Sequence, residues 1–238
     1  MVVWRNTIIT QIYILSKMSR KIFPKAFLIG ADKNSEWMLD WFLRNYFKHK
    51  NETKFVFADF GLSERKKKFV QNHPSILGVM EMENKQDKSW FLKPEAMWFA
   101  PVEKCVWLDI DLEIQANIDD IFDYIVPDKL CMVEDKPWTK RRGEVWHNSG
   151  VVGFIHKPKI LKEWALKTAH KNHNEVGDQE VLHSMLNPIM KLTNVHDIPN
   201  EYNVLRLQIE NDNYKGPIKM IHWTGPKGKQ KIKEMMDA

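Results

Sequence analysis

Cysteine is scarce. Cys105 and Cys131 are the only two in 238 residues, and no Cys-x-x-Cys pair occurs. That excludes a disulfide scaffold, a zinc ribbon and a dithiol redox site. Both lie in apolar runs that read as strands, so they are expected as buried thiols in a reducing compartment. Long apolar runs are missing too. No stretch of about 18 apolar residues exists, which excludes a polytopic helical membrane protein. The segment Thr7 to Leu15 is apolar but broken by Gln11, and no small-residue cleavage site follows it. It therefore reads as neither anchor nor signal peptide. Residues 1–20 are expected to be an N-terminal extension, and a cytoplasmic location is expected. Glycine is sparse, 10 in all, and only Gly30 sits in the loop after the first predicted strand. A nucleotidyltransferase making sugar nucleotides would want a Gly-rich phosphate loop there, which argues against that reading. There is no internal repeat, low-complexity tract or Pro/Gly/Ser linker.

What remains is ordinary globular material. Hydrophobic residues make up 43% and charged residues 28% of the chain. The length suits one large domain or two small ones. Two features depart from the average: 10 Trp and a net charge of +5. The excess of base suggests an anionic partner. A non-catalytic nucleic-acid binder is the rival this raises. The basic residues are scattered and end-weighted, though, and no nucleic-acid module is visible.

The apolar pattern alternates between strand and helix. Lys25 to Gly30, Lys54 to Asp59, Ile76 to Met82 and Lys104 to Asp109 read as strands. Between them, Ser35 to His49, Ser63 to Gln71 and Ser89 to Ala100 read as helices, the first with Trp37, Met38, Trp41, Phe42 and Tyr46 on one stripe. Leu130 to Val133 and Val145 to Ile155 follow as strands, then helices over Pro158 to Lys171 and Asp178 to Met185, then a strand over Ile218 to His222. Lys136 to Arg142 reads as a basic loop flanked by Trp138 and Trp146, a candidate acceptor platform. The βαβα opening predicts a mostly parallel sheet with helices on both faces. In such sheets, ligands bind beyond the carboxyl ends of the strands.

The strand Cys105 to Leu108 is apolar on both faces, as a buried central strand is. It runs into Asp109-Ile110-Asp111. In extended chain, residues i and i+2 share a face, so both carboxylates would point one way and Ile110 into the core. Two like charges this close call for a cation between them. A hard divalent ion such as Mg²⁺ or Mn²⁺, which also binds phosphates, suits oxygen ligands.

The surroundings make this short string specific. From Trp90 to Phe122 the chain reads WFLKPEAMWFAPVEKCVWLDIDLEIQANIDDIF. This resembles the core of glycogenin and other family 8 glycosyltransferases. Four further elements resemble the family in order: Asn148-Ser149-Gly150, Gly177-Asp178-Gln179, Tyr202-Asn203 and His222-Trp223-Thr224-Gly225-Pro226-Lys227. The last looks like the opening of the family's His-x-x-Gly-x-x-Lys signature. Here the sequence departs from it: Gly228 stands six positions after His222, and the usual Lys-Pro-Trp is absent.

The resemblance implies an α/β fold of the GT-A (Rossmann-like) type, a single domain over residues 21–238. It implies a metal-dependent transfer of sugar from a UDP-sugar to the hydroxyl of a glycan or glycoprotein acceptor, with retention of anomeric configuration. Asp109, Asp111 and His222 would hold Mn²⁺, with Mg²⁺ as alternative. Lys93, 16 positions before Asp109, would contact the nucleotide-sugar. Gly30, Ala31, Asp32 and Asp59 would shape the nucleotide pocket, with turn chemistry as the plain alternative for both Asp. The Asp109-Ile110-Asp111 string, Asn148, Ser149 and Gly150 would complete the donor site. Gly225 with Lys227 or Lys229 would clamp the diphosphate. Asp178 and Gln179 would lie beside the sugar as catalytic residues, with a helix cap as the plain alternative for Asp178. Double displacement and front-face attack both fit, and the missing Lys-Pro-Trp leaves an inactive relative open.

Overall fold

The structure is a computed structural model that describes residues 21–83, 88–170 and 175–237. The expected extension over residues 1–20 lies outside the described residues, as does the predicted helix end at Lys171. Elements are numbered in chain order. Strands β1 (Phe23–Ala31), β2 (Phe55–Asp59), β3 (Ile76–Glu81) and β4 (Val102–Leu108) alternate with helices α1 (Leu39–Lys48), α2 (Glu64–Asn72) and α3 (Lys93–Phe99). There follow β5 (Leu112–Ile114), β6 (Leu130–Glu134), α4 (Lys136–Arg142), β7 (His147–Ile155) and α5 (Lys159–Ala169). Then come α6 (Asp178–Met185), α7 (Pro188–Asn194), β8 (Val195–Asp197), β9 (Val204–Leu205), α8 (Arg206–Glu210), β10 (Met220–His222) and α9 (Gly225–Asp237).

The main sheet has seven strands in the order β3-β2-β1-β4-β7-β6-β8. It is mostly parallel, as predicted; β7 alone runs against its neighbours β4 and β6. The central position of β4 explains its two-sided apolarity. Val106 and Leu108 enter the core on one face, and Cys105 and Trp107 the core on the other. Full burial of each large apolar side chain stabilises the fold by about 1.5–3 kcal/mol. Both cysteines are buried and free, and burial pushes the Cys105 thiol well up, so it stays protonated.

The reversed strand decides what meets the end of β4. Because β7 runs antiparallel, its beginning lies beside the carboxyl end of β4: Leu108 faces Val151, and Asp109 N–H donates to Gly150 O at 2.8 Å. Asn148, Ser149 and Gly150 thus arrive next to Asp109. A second, three-stranded sheet, β5-β10-β9, does the same for His222, which pairs with Leu112. Its strands are two or three residues long; β10 falls inside the predicted strand Ile218 to His222, while β5 and β9 are too short to carry a legible period.

One expectation is corrected. Lys136 to Arg142 is not a loop but helix α4. Asp135 caps it by accepting Trp138 N–H at 3.0 Å, a proline lies in the first turn, and Gly143 closes it at φ +71°. The run of charge hid this helix, since it has no buried face.

Candidate active site

The carboxyl ends of β1 and β4, the start of β7, the start of α6 and the start of α9 surround a cleft of about 670 Å³. Of the predicted site residues, all but Asp59 and Lys227 line it. The Asp59 carboxylate is taken by the turn after β2, accepting from Gly61 N at 2.8 Å and Leu62 N at 2.7 Å. Lys227 is exposed and does not line the cleft.

Asp109 and Asp111 converge, but not through strand alternation. The chain leaves β4 at Leu108 and turns, with Leu112 N–H donating to Asp109 O at 3.2 Å. Ile110 packs in the core and touches the cleft. Asp111 is buried, with His222 Nε2 at 3.1 Å from its Oδ1; Asp109 Oδ2 lies 3.7 Å from the same nitrogen. One ligand atom from each of Asp109, Asp111 and His222 fits within 4.8 Å of the others. Burial alone would raise the Asp111 pKa. His222 and Lys229, both within hydrogen-bond reach, overcome that and hold it well below the usual carboxylate range.

The neighbours of His222 set its tautomer. Asn148 Oδ1 accepts from Gly150 N at 2.9 Å, and its Nδ2 donates to Asp135 Oδ2 and Gln179 Oε1. That fixes which way the Asn148 amide faces. Its oxygen is therefore turned to His222 Nδ1, at 3.1 Å, and Asn203 Oδ1 lies at the same distance. Two acceptors there require Nδ1 to carry the proton. Nε2, between the two carboxylates, is then the nitrogen that a bound metal ion would take. Two carboxylates and an imidazole suit Mn²⁺ or Mg²⁺, so the residues present fit a divalent ion.

Two glycines make this packing possible. A Cβ at position 150 would stand 2.2 Å from the His222 ring, and one at 228 would stand 2.0 Å from the Trp223 carbonyl. Gly228 lets the first turn of α9 close on the chain behind it. This accounts for the missing lysine at that position. Lys229, one residue on, reaches into the cleft and pairs with Asp111.

Lys93 is buried at the start of α3. Its Nζ lies 3.3 Å from Asp109 Oδ1, 3.1 Å from Asp178 Oδ2, and 3.0 Å from Ser149 O. Burial would lower its pKa, but Asp109 and Asp178 outweigh that, so it stays charged. Burial raises Asp178, opposed by Lys93 and reinforced by Asp109. Asp178 is not the cap of α6: Gly177 holds that position, and Asp178 turns into the cleft. Gln179 Oε1 accepts from Asn148 Nδ2 at 3.1 Å and from Ser149 N at 3.2 Å; its Nε2 donates to Asp135 Oδ2 at 3.1 Å.

At the other end of the cleft, Asp32 follows β1. Its carboxylate accepts from Ser35 Oγ at 2.6 Å, Asn34 N at 3.1 Å and Ser89 Oγ at 2.9 Å. Burial raises its pKa, but these bonds prevail and lower it. Asp32 thus holds the loop that forms the cleft wall. Sequence reasoning missed two residues. Asp135, buried after β6, ties Gln179 and Asn148 together; an acid directly after an apolar strand, the same signal as Asp109, could have found it. Trp107, read as packing, donates its indole N–H to Asp109 Oδ1 at 2.6 Å. The Asn203 of the quoted Tyr-Asn pair had no role until the structure set it against His222.

No protein-family model matches the sequence, and no curated protein matches it. Solved structures do. The galactosyltransferase LgtC, in complex with donor and acceptor sugar analogs, aligns with a TM-score of 0.59 at 17% identity, covering 89% of this chain and 95% of that chain. The glycosyltransferase GlyE of Streptococcus pneumoniae TIGR4 aligns with a TM-score of 0.62 at 15% identity, over 85% of this chain and 55% of its own. The bifunctional glycosyltransferase WbbM aligns at 0.58 and 14% identity, over 86% of this chain and 46% of its own. This chain therefore spans about half the length of the GlyE and WbbM chains. At these identities the likeness is one of fold, and the fold is that of the GT-A glycosyltransferases.

Proposed function

We propose that this chain is a metal-dependent, retaining glycosyltransferase of family 8 type that transfers a sugar from a UDP-sugar to an acceptor hydroxyl. The observation that carries this reading is the meeting, in one cleft of a GT-A fold, of Asp109, Asp111 and His222 with Lys93, Lys229 and Asp178. A bound Mn²⁺ would act as Lewis acid on the donor diphosphate. Lys229 adds positive charge where the leaving diphosphate gains negative charge. Gly225, at the start of α9, lines the same place. The loop from Gly30 to Asp32 forms the wall for nucleobase and ribose. Lys93 and Ser149 hold Asp178 at the sugar, where its carboxylate can accept from donor hydroxyls.

Retention admits two routes, and the hydrogen bonds favour one. Gln179 Oε1 already accepts two hydrogen bonds, and Asp178 is paired with Lys93. Neither side chain is free to act as a nucleophile without breaking these contacts. Front-face attack leaves both in place: the acceptor hydroxyl attacks the anomeric carbon and passes its proton to a leaving diphosphate oxygen. The test is a panel of UDP-sugars, scored by UDP release with Mn²⁺ and with chelator. Release from at least one UDP-sugar, abolished by chelation, is expected. No release from any of them would overturn the reading, and release indifferent to chelator would overturn the metal assignment.

A further inference from the structure

Beside the cleft lies a cluster to which the donor reading assigns no role. Trp138 lines the cleft from α4. It is the outer plate of a ring stack: Trp138 on Trp146 at 5.3 Å, and Trp146 on His183 at 4.2 Å, with planes within 25° and 21° of parallel. Trp146 and His183 are buried, so the stack is anchored in the protein. The sequence suggests an acceptor platform of Trp138 and Trp146 with a basic segment, and the structure shows where the basic groups lie on the rings. The guanidinium of Arg142 lies 4.7 Å from the Trp138 ring and 5.2 Å from Trp146, and that of Arg141 lies 5.4 Å from Trp138. The indole surface is thus covered by Trp146 on one part and by guanidinium groups on another.

These cations are only loosely compensated. Helix α4 carries Lys136, Lys140, Arg141 and Arg142 with no acidic residue of its own. Lys140 makes a loose, exposed pair with Asp212 at 3.9 Å. Arg142 lies near enough to Glu180, itself a cleft residue, for its charge to oppose the burial that raises the Glu180 pKa, and among the described residues no carboxylate forms a close ion pair with Lys136, Arg141 or Arg142. Lys88, which also lines the cleft, sits over Trp90 at 5.3 Å, again with no carboxylate ion-pair partner among the described residues. A guanidinium laid on an indole is held in orientation while its N–H fork stays available. Such a fork matches the two oxygens of a carboxylate or phosphate.

We infer that the acceptor is an acidic saccharide, one whose carboxylate or phosphate is received by Arg141 and Arg142 beside the cleft while its hydroxyl faces the donor. This rests on the glycosyltransferase reading and adds the class of acceptor to it. The test is binding to the full chain, measured by calorimetry with UDP and Mn²⁺ present. The probes are methyl β-glucuronide and glucose 6-phosphate against methyl β-glucoside; the two acidic arms tell carboxylate from phosphate. At least one acidic probe is expected to bind about tenfold or more tighter than the neutral one, and to weaken as salt rises. The double variant R141Q/R142Q, checked for folding by its circular dichroism melt, is expected to bring the acidic probe down to the neutral level. Should that variant not fold, the salt series on the unaltered chain still reads the preference. Equal binding of acidic and neutral probes, a preference that survives R141Q/R142Q, or tighter binding of a short thymidine oligonucleotide would each overturn the inference. The UDP-release panel stays separate, so failure of the donor reading is seen there and not in the acceptor preference.

Discussion

The imidazole of His222 is held from behind and given room from below. Asn148 and Asn203 keep its proton on Nδ1, and Gly150 leaves the space its ring fills. Gly150→Ala is therefore expected to weaken Mn²⁺ affinity at least about tenfold, because displacing a ligand costs as much as losing its support. Electron paramagnetic titration of free Mn²⁺ reads this directly, and unchanged affinity would show that the ring tolerates the methyl group. Asp111→Asn is expected to abolish Mn²⁺-dependent UDP release with the fold kept; near-normal dependence on Mn²⁺ would remove Asp111 from the metal site. At this scale the sequence was informative where the chemistry is local. Asp109 and Asp111 stand at a strand end and were legible as a pair. The partners of Lys93 were not: it meets Asp109 across 16 positions and Ser149 across 56, and only folding makes those contacts.

Helix starts position much of the cleft, and α9 shows how local chemistry can mislead. Family pattern would put a lysine at position 228. A Cβ there would stand 2.0 Å from the Trp223 carbonyl, so any side chain forces α9 away from β10. Gly228→Lys is thus expected to lower UDP release and the melting temperature together, not to restore a missing function. Higher release in that variant would mean that the close approach is not needed. Helix α7 offers a simpler case: Asn187 caps it by accepting Met190 N–H at 2.9 Å. Asn187→Ala should cost about 1 kcal/mol in urea unfolding, with UDP release unchanged. Long elements such as α1 and α5 were readable from their apolar stripes. Helix α4 was not, since it buries no residue, although Asp135, Pro137 and Gly143 mark its ends.

The whole molecule has a pH dependence written into its buried polar layer. Burial pushes the His183 pKa down to about 3, with the neighbouring His147 acting in the same direction. In the unfolded chain a histidine titrates near 6.5, so between these values the unfolded state binds the proton and the folded state refuses it. Stability is then complete above about pH 6.5 and falls as pH drops toward 3, by up to about 1.4 kcal/mol per pH unit from this one group. Urea midpoints between about pH 7 and pH 5 should decline accordingly, and His183→Gln should flatten the slope. An unchanged slope would assign the acid sensitivity to other groups. The sequence by itself determined the alternation of strand and helix, the buried central strand and the acidic pair at its end. Each of these depends on residues close along the chain, whose periodicity and chemistry act locally. Only the tertiary structure decided that β7 runs backwards beside β4, that His222 reaches Asp111 across 111 positions, and that Lys229 rather than Lys227 enters the cleft. Those outcomes come from sheet pairing and close backbone approach, where the position of one residue is set by others far away in sequence.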